Sequence, residues 1–422
     1  MKRPIALAGA VALAGVASAC GGGGGSGGAA TVNWYIYNDG TGQQSTIISN
    51  CNKQSNGAYR IKLVSLPSSA DDQRALLVRR LAAKDPSIDI MGMDVVWTAE
   101  FANAGWLREW TGADKAKITD GTLAGPLASA TYDKKLYAAP LNSNTQLLWY
   151  RKDLVKKAPK TWTELVAASK ALKAAGTSPN VIEEQGKRYE GLTVWFNALV
   201  ASGGGSIVNA ANQPTLGAPA VEAASIIRAV AQPGVGDPSI SNAAEDDGRH
   251  AFENGAAAFM VNWPYVYATG KADGAQDPKV LKNWKNMAWA PYPAVAAGKV
   301  ARPPLGGANL GISEYSKHPQ QAFAAATCLR SAPSQVIAGV VGGLPPTIDS
   351  AYDDKKLRAN YPFADLLREG IKNAAPRPVT PAYADVSLAI TKALAPVGSI
   401  QPEGAVKSMH SNLSKAANGG LF

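Results

Sequence analysis

The chain has 422 residues, of which 46% are hydrophobic and 18% charged, and a formal net charge of +10, which is the composition of a globular protein. Its basic residues are scattered, without a stripe of basic and aromatic side chains, and this pattern argues against nucleic-acid binding. No apolar run approaches the roughly 20 residues that a membrane-spanning helix needs.

The start of the chain is predicted to be an export signal and a membrane anchor. Residues 1–19 contain, in order, a basic pair, an apolar segment too short to span a bilayer and a small-residue cleavage site. Cys20 then stands at the first mature position, as in the bacterial lipobox, where the thiol is lipidated with acyl chains such as palmitate. Ordinary signal-peptide cleavage beside an incidental cysteine is the alternative. We therefore expect a signal peptide over residues 1–19, followed by a lipidated Cys20 and a Gly-rich tether over residues 20–30.

Apolar and amphipathic segments alternate after the tether, which predicts strands over residues 31–37, 61–66 and 88–93 and helices over residues 45–54 and 71–83. Such alternation favours a parallel sheet with helices on both faces. Asn38 and Asp39 follow the first predicted strand and Asp94 follows the third, so they lie at the carboxyl edge of the sheet, where ligands usually bind. For Asp94, an N-cap of the next helix is the competing interpretation.

The stretch from residue 137 to residue 165 predicts a crossing into a second lobe. Residues 147–151 form an apolar, strand-like run, and Thr161 with Glu164 forms a capping box that starts a helix at Thr161. The chain is also too long for one ordinary domain, which suggests two lobes. The predicted division places lobe I at residues 31–140 with a returning segment at about 290–330, and lobe II at residues 141–289, with residues 331–422 completing lobe II and the hinge.

Residues 245–265 predict a helix, a turn at Asn254 and Gly255, and a short buried strand that ends before Trp263 and Tyr265. Aromatic side chains just past a buried strand lie where ligands usually bind in an α/β sheet. Glu245 stands at the other end of the helix. From this stretch alone, a purely structural Trp263 in the core is an equally valid interpretation.

Cys51 and Cys328 are the two cysteines after Cys20, and an even pair in an exported chain is compatible with a disulfide. Such a bond would return a predicted helix over residues 318–330 to the first lobe. Two buried free thiols are the alternative. Since the chain has no CxxC motif and its three histidines lie far apart in sequence, we predict no metal site.

Five sequence motifs follow each other along the chain: Pro140-Leu-Asn with the apolar run that closes on Tyr150, Pro159-Lys-Thr-Trp-Thr-Glu-Leu165, Phe252-Glu-Asn-Gly-Ala-Ala-Ala-Phe-Met260, Gly306-Gly-Ala-Asn-Leu-Gly-Ile312 and Gly343-Leu-Pro345. Together they resemble the motifs of the extracellular solute-binding proteins of bacterial ABC importers (solute-binding protein family 1), in the branch that binds sugars. The resemblance implies an α/β, two-lobed periplasmic-binding-protein fold, each lobe a mostly parallel sheet flanked by helices, with the ligand cleft between the lobes. It also implies a binding protein and not an enzyme, with no catalytic residues and no cofactor.

Within that branch, further phrases resemble the mycobacterial trehalose-binding lipoproteins; they lie at residues 94–101, 144–151, 194–197, 261–264, 290–295 and 377–383. This resemblance implies that Asp94 and Asn144 hold the sugar from the first lobe, and that Cys51 and Cys328 form a disulfide. The other predicted ligand contacts are Glu245, Trp263, Tyr265, the Gly306–Gly307 backbone, Arg377, and Asn38, Asp39 and Gln43 of the loop after the first strand.

The chemistry of these side chains suits a disaccharide, whose hydroxyls both donate and accept hydrogen bonds. Asp94 and Glu245 accept, Asn144 and Arg377 donate, and Trp263 offers a flat face to the sugar C–H groups. Two carboxylates beside a sugar are also the machinery of a glycosidase, and the family resemblance favours a binder. Another solute, such as a glycerophosphodiester or an amino sugar, is the remaining alternative, although phosphate favours a cluster of basic groups.

The resemblance further implies where the protein works and with what. We expect a monomer, lipid-anchored at the extracytoplasmic face of the cell membrane in an actinobacterial envelope. Its ligand is trehalose or a related α-linked glucose disaccharide, and its protein partners are the permease and ATPase subunits of an ABC importer. The two lobes are expected to close on the sugar by a hinge motion.

Overall fold

The computed structural model describes residues 29–209 and 211–417. The predicted signal peptide, Cys20 and nearly all of the tether lie outside these residues. No helix of the described part of the chain is both long and apolar enough to cross a membrane. The strands are β1 (Ala30–Tyr37), β2 (Tyr59–Leu66), β3 (Ile90–Asp94), β4 (Thr131–Tyr132), β5 (Lys135–Leu136), β6 (Ala138–Asn144), β7 (Leu147–Arg151), β8 (Ile182–Glu183), β9 (Phe259–Asn262), β10 (Met287–Ala290) and β11 (Gly306–Ile312).

Helices cover both sheets and make up most of the remaining structure. They are α1 (Gln43–Gln54), α2 (Ala70–Ala82), α3 (Trp97–Asn103), α4 (Gly112–Thr119), α5 (Ala124–Ser129), α6 (Trp162–Ala174), α7 (Glu190–Ser202), α8 (Ala218–Val230), α9 (Glu245–Glu253), α10 (Tyr265–Gly274), α11 (Pro278–Lys285), α12 (Pro319–Leu329), α13 (Ala332–Gly342), α14 (Lys355–Asn360), α15 (Ala364–Asn373), α16 (Tyr383–Leu394) and α17 (Pro402–Ala417). Short 3₁₀ segments lie at Ile240–Asn242, Asp349–Asp353 and Val397–Ser399.

The sheet of lobe I has the strand order β2-β1-β3-β11-β6. β1 runs parallel to β2 and β3, as the alternation of strands and helices predicts. β11, from late in the chain, is inserted antiparallel between β3 and β6. Lobe I is therefore built from two stretches of sequence that lie far apart.

The sheet of lobe II has the order β10-β7-β9-β8. β7 is antiparallel to both of its neighbours, while β8 and β9 are parallel. Each lobe thus has a mixed sheet in which one strand opposes the direction of the others. The predicted two-lobed α/β fold is confirmed.

The two lobes have separate hydrophobic cores. Trp34, Phe101 and Trp110 belong to the core of lobe I, and Trp162 and Trp195 to that of lobe II. Helices α12 and α13 pack on lobe I, whereas α16 and α17 pack on lobe II. The chain consequently passes between the lobes more than once. The exact boundaries of the lobes remain a prediction.

Several local predictions agree with the structure in detail. β7 has the predicted bounds, and Thr161 is the N-cap of α6, where its Oγ1 accepts a hydrogen bond from the Glu164 amide at 3.1 Å. The Glu164 carboxylate accepts from the amide of Lys160 at 2.7 Å, one residue before the N-cap. The Thr161 half of the predicted capping box is therefore formed, whereas the Glu164 carboxylate binds the amide before the N-cap instead of the N-cap amide.

The predicted disulfide joins Cys51 of α1 to Cys328 of α12. The Cα atoms are 5.8 Å apart, within the usual range for a disulfide, and the bond closes a sequence separation of 277 residues. It ties the late helix α12 to the first helix of lobe I, which explains how the returning segment is held in place.

Removing this cross-link is expected to lower the free energy of unfolding by about 2–5 kcal/mol, because the unfolded chain regains the entropy of a long open loop. The measurement is urea unfolding of the wild type with and without reductant. The matched control is the Cys51→Ser, Cys328→Ser double variant, whose stability should not respond to reductant. Free thiols at both positions in the purified, oxidised protein, found by peptide mass spectrometry, would contradict the assignment.

Candidate functional site

A cavity of about 570 Å³ lies between the two lobes, within the usual size range of small-molecule sites. Lobe I contributes the carboxyl ends of its strands and the loop before α1. Lobe II contributes the start of α9, the residues after β9 and the start of α10. The predicted site residues that line this cavity are Asp39, Gln43, Asp94, Asn144, Glu245, Trp263, Tyr265 and Gly307.

Glu245 and Trp263 form one wall of the cavity, although the sequence places them at opposite ends of a helix and strand unit. Asn262, the last residue of β9, donates from Nδ2 to the Glu245 carbonyl at 2.9 Å, and its Oδ1 accepts from the Trp263 amide at 2.8 Å. This buried asparagine brings the start of α9 to the end of β9. Trp263 is only half-buried, so the interpretation of a core tryptophan does not hold.

The Glu245 carboxylate is held by Tyr189, a residue that the sequence did not indicate. The Tyr189 hydroxyl donates to Glu245 Oε2 at 2.7 Å. Burial raises the pKa of Glu245 above its ordinary value, and the hydrogen bonds from Tyr189 and Trp263 oppose that rise. Tyr189 directly precedes α7, and no sequence signal distinguishes it from other tyrosines.

Asp94 ends β3 and faces the cavity from lobe I. Its Oδ1 accepts from the Val96 amide at 3.2 Å and from Arg377 Nη2 at 2.7 Å. Helix α3 begins at Trp97 without a side-chain cap, so Asp94 is not its N-cap. Among the hydrogen bonds of the described residues, none involves Asp94 Oδ2, and this oxygen is available to a ligand.

Arg377 does not line the main cavity but lies behind Asp94, and its side chain is 2% exposed. Its Nη1 donates to Glu190, the first residue of α7 in lobe II. Glu190 in turn accepts from the Tyr383 hydroxyl and from Ser387 Oγ. A buried guanidinium therefore connects a carboxylate of lobe I to one of lobe II, with Arg377 orienting Asp94 from behind.

The Gly306–Gly307 backbone packs closely against residues of both lobes. A Cβ on Gly306 would lie 2.8 Å from the Trp263 ring and 3.2 Å from Asn144 Cβ. Gly307 has a φ of +123°, and a Cβ there would lie 2.2 Å from the Asn142 carbonyl oxygen. Glycine is thus required at both positions. Gly306 supports the Trp263 ring, while Gly307 lines the cavity.

The loop after β1 is only partly directed into the cavity. Asp39 accepts from the Thr41 amide and hydroxyl through Oδ1 and from Gln43 Nε2, at 3.1 Å, through Oδ2. Asn38 is exposed, accepts from the Gly40 amide at 3.1 Å and is absent from the cavity lining. The structure brings Asp39 and Gln43 to the other predicted residues and leaves Asn38 outside.

Arg249 and Asp246 of α9 also line the cavity and were not predicted. The Arg249 guanidinium is bound by Asp246 at 2.9 Å, by Glu253 at 2.7 Å and by Asp273 at 2.8 Å. Tyr265 donates to the same Asp246 carboxylate at 2.8 Å. The i, i+3 spacing of Asp246 and Arg249 predicts their ion pair, but nothing in the sequence shows that they face a cleft.

The charges of the lining favour neutral or cationic ligands. Asp39, Asp94, Glu245 and Asp246 are four carboxylates of the lining, and the cationic side chain among them, Arg249, is already paired with three acidic groups. An anionic ligand would meet this excess of negative charge in a partly desolvated space. The side chains can therefore accept hydrogen bonds from hydroxyls and stack against an apolar face.

Comparison with known proteins places the chain in a family. The model of the family described as "Bacterial extracellular solute-binding protein" matches residues 21–336. A probable ABC transporter-binding protein of Deinococcus radiodurans is 32% identical over 333 residues, which are 76% of this chain and 76% of that protein. The maltodextrin-binding protein MdxE of Bacillus subtilis is 29% identical over 207 residues, 46% of each chain.

Solved structures show the same architecture over the whole of the described body. Maltose-bound MalE3 of T. maritima matches with a TM-score of 0.82 at 27% identity, covering 92% of this chain and 100% of that one. The GacH receptor of Streptomyces glaucescens matches with a TM-score of 0.77 at 23% identity, covering 93% of this chain and 100% of that one, and shows the shared fold. The predicted resemblance is thereby confirmed at the level of the family, which consists of binding proteins and not of enzymes. This chain belongs to the bacterial extracellular solute-binding proteins.

Proposed function

We propose that this protein is the substrate-binding lipoprotein of an ABC sugar importer, and that it captures trehalose or a related α-linked glucose disaccharide. The observation that carries the proposal is a cavity whose opposite walls combine the half-buried Trp263 ring with carboxylates and amides of both lobes. Two relatives, a maltose-bound MalE3 and a maltodextrin-binding protein, add support from α-linked glucosides.

Each part of a disaccharide has a counterpart in the cavity. The Trp263 ring stacks against the C–H face of one sugar ring. Sugar hydroxyls donate to Asp94 Oδ2 and to the Glu245 carboxylate, and Asn144 donates back to a hydroxyl oxygen. Hydrogen bonds to ionised groups are about twice as strong as neutral ones, so the two carboxylates contribute most to affinity.

Ligand contacts from both lobes stabilise the closed form over the open one, because only the closed form makes them all at once. The closed protein then delivers the sugar to the permease, whose ATPase subunits drive import. The lipid on Cys20 would hold a monomeric protein at the extracytoplasmic face of the actinobacterial cell membrane, with the Gly-rich tether giving it reach.

The charge of the cleft discriminates between the alternative solutes. A glycerophosphodiester carries a negative phosphate, and the excess of carboxylates in the lining opposes its entry. An amino sugar carries a positive charge that the same carboxylates attract. Amino-substituted glucosides are therefore the second candidate ligand, and glycerophosphodiesters are disfavoured.

Calorimetry with trehalose tests the ligand. The wild type should bind, and Trp263→Ala or Glu245→Gln should each weaken binding by about 1–3 kcal/mol, roughly 5–150-fold, since sugar groups are left without their partners. Glu222→Gln, on the exposed face of α8, is the matched control and should bind like the wild type. If trehalose gave no heat of binding and no thermal shift, it would be excluded as the ligand. Release of glucose over time would contradict the proposal that the protein only binds its sugar.

A second experiment separates a ligand contact at Arg377 from a role behind Asp94. Arg377→Met leaves the carboxylates of Asp94 and Glu190 without their buried cation, so the free energy of unfolding should fall by about 3–5 kcal/mol and trehalose affinity should fall with it. Arg358→Met removes an exposed ion pair with Asp365 and should change neither. An Arg377→Met protein with unchanged thermal stability but lost affinity would instead make Arg377 a direct ligand contact.

A further inference from the structure

The sheet of lobe I fixes the order of residues along the edge that faces the cleft. Its strands β1, β3, β11 and β6 are neighbours in that order. The residues at this edge of the four strands are, in the same order, Tyr37, Asp94, Gly306 and Asn144. Tyr37 and Asn144 therefore stand at opposite ends of this row, with Asp94 between them.

Trp263 of lobe II lies at the β11 and β6 end of the row. A Cβ on Gly306 would come within 2.8 Å of the Trp263 ring and 3.2 Å of Asn144 Cβ. Because neighbouring strands are ~4.8 Å apart, the end of β1 is about 10 Å from β11 and about 14 Å from β6. A ligand that is stacked on Trp263 must extend past Asp94 to reach Tyr37.

Tyr37 presents an accessible aromatic ring at its end of the row. It lines the cavity and is 39% exposed. Trp34 and Trp97 line the same cavity but are 1% and 4% exposed, because they belong to the core of lobe I. Tyr37 and the half-buried Trp263 thus offer ring surface to a ligand from opposite ends of the cleft.

The backbone of Tyr37 is held in place, while its hydroxyl is free to bind a ligand. Tyr37 pairs with Leu66 of β2, and its carbonyl accepts a hydrogen bond from Gln44 Nε2 at 2.7 Å. Among the hydrogen bonds of the described residues, none involves the Tyr37 hydroxyl. The protein therefore fixes where the ring is attached and leaves its polar end without a partner.

The surroundings of the Tyr37 hydroxyl favour its protonated form, which can donate. Burial raises the pKa of Tyr37, and the carboxylates of Asp246 in lobe II and Asp39 in lobe I raise this pKa further. Since carboxylates only accept, and the ring and bridging oxygens of a sugar also only accept, these sugar oxygens need donors from the protein. Tyr37 supplies such a donor beside the acidic residues of the cleft.

The distance between the two aromatic residues distinguishes one sugar ring from two. A single pyranose ring that is stacked on Trp263 leaves Tyr37 uncovered. Two linked rings that lie along the row place the glycosidic linkage near Asp94 and the second ring at Tyr37. The second ring can then contact the aromatic face and accept a hydrogen bond from the Tyr37 hydroxyl.

We propose that Tyr37 determines the specificity for a disaccharide over a monosaccharide by contacting the second sugar ring, while Trp263 contacts the first. This inference rests on the proposed sugar-binding function and assigns a role to a residue at the end of β1. Tyr37 contributes to the affinity for a disaccharide and contributes little to the affinity for a single glucose unit.

Calorimetry with trehalose and with methyl α-D-glucopyranoside tests the assignment, with displacement titrations for the weaker sugar. Tyr37→Ala should weaken trehalose binding about 5–150-fold, because a stacking contact and a hydrogen bond are lost, and should leave methyl glucoside binding nearly unchanged. Tyr37→Phe keeps the ring and should give an intermediate trehalose affinity. Trp263→Ala should weaken the binding of both sugars.

The matched control is Tyr132→Ala, which removes a partly exposed tyrosine of β4 that does not line the cavity, and it should bind both sugars like the wild type. Wild-type trehalose affinity in Tyr37→Ala, or an equal loss of both sugars in that variant, would overturn the role of Tyr37 and leave sugar binding intact. If the wild type did not bind trehalose, the proposed ligand and this inference would be overturned together.

Discussion

The guanidinium of Arg377 is the group on which the geometry of the cleft depends. It is almost fully buried between Asp94 of lobe I and Glu190 of lobe II. A buried cation that loses one of its carboxylates leaves an uncompensated charge in a low-dielectric environment, and this outcome is strongly unfavourable. The ion pair with Arg377 therefore holds the Asp94 carboxylate in one orientation, in which Oδ1 is hydrogen-bonded and Oδ2 is available to a ligand.

The same ion-pair chain relates ligand binding to the arrangement of the lobes. Glu190 starts α7 and also accepts hydrogen bonds from Tyr383 and Ser387 of α16. A displacement of α16 would therefore shift Glu190, and through Arg377 it would change the position of Asp94. On the opposite wall, Asn262 joins the start of α9 to the end of β9 and places Glu245 beside Trp263. Both halves of the site are thus held by buried polar contacts within the protein, and a ligand meets side chains that are already oriented.

Local patterns in the sequence predict much of the fold. The alternation of strands and helices, the N-cap at Thr161 and the apolar run of β7 depend on neighbouring residues, and the structure agrees with them. The antiparallel insertion of β11 between β3 and β6 depends on contacts between distant segments, which periodicity does not show. The two-lobed arrangement was predicted from the family motifs, because the periodicity of apolar residues does not show how the strands are divided between sheets.

Residues of the candidate site could be predicted where a side chain suited to binding sugar stands at the end of a predicted strand, as Asp94 and Trp263 do. Asn38 has the same favourable position, but its side chain turns back to the Gly40 amide and stays exposed. Tyr189 and Arg249 reach the cavity or its carboxylates through tertiary packing, for which the sequence has no local signal. Arg377 was found through family resemblance, and only the structure shows that it lies behind Asp94.

A crystal structure of the trehalose complex is the most direct test of the account. It should show the sugar between the lobes, with one ring on the face of Trp263, hydroxyls within hydrogen-bonding distance of Asp94 Oδ2 and the Glu245 carboxylate, and Arg377 still paired with Asp94. A sugar bound outside the cleft, or one that displaces Asp94 from Arg377 to take its place, would contradict it.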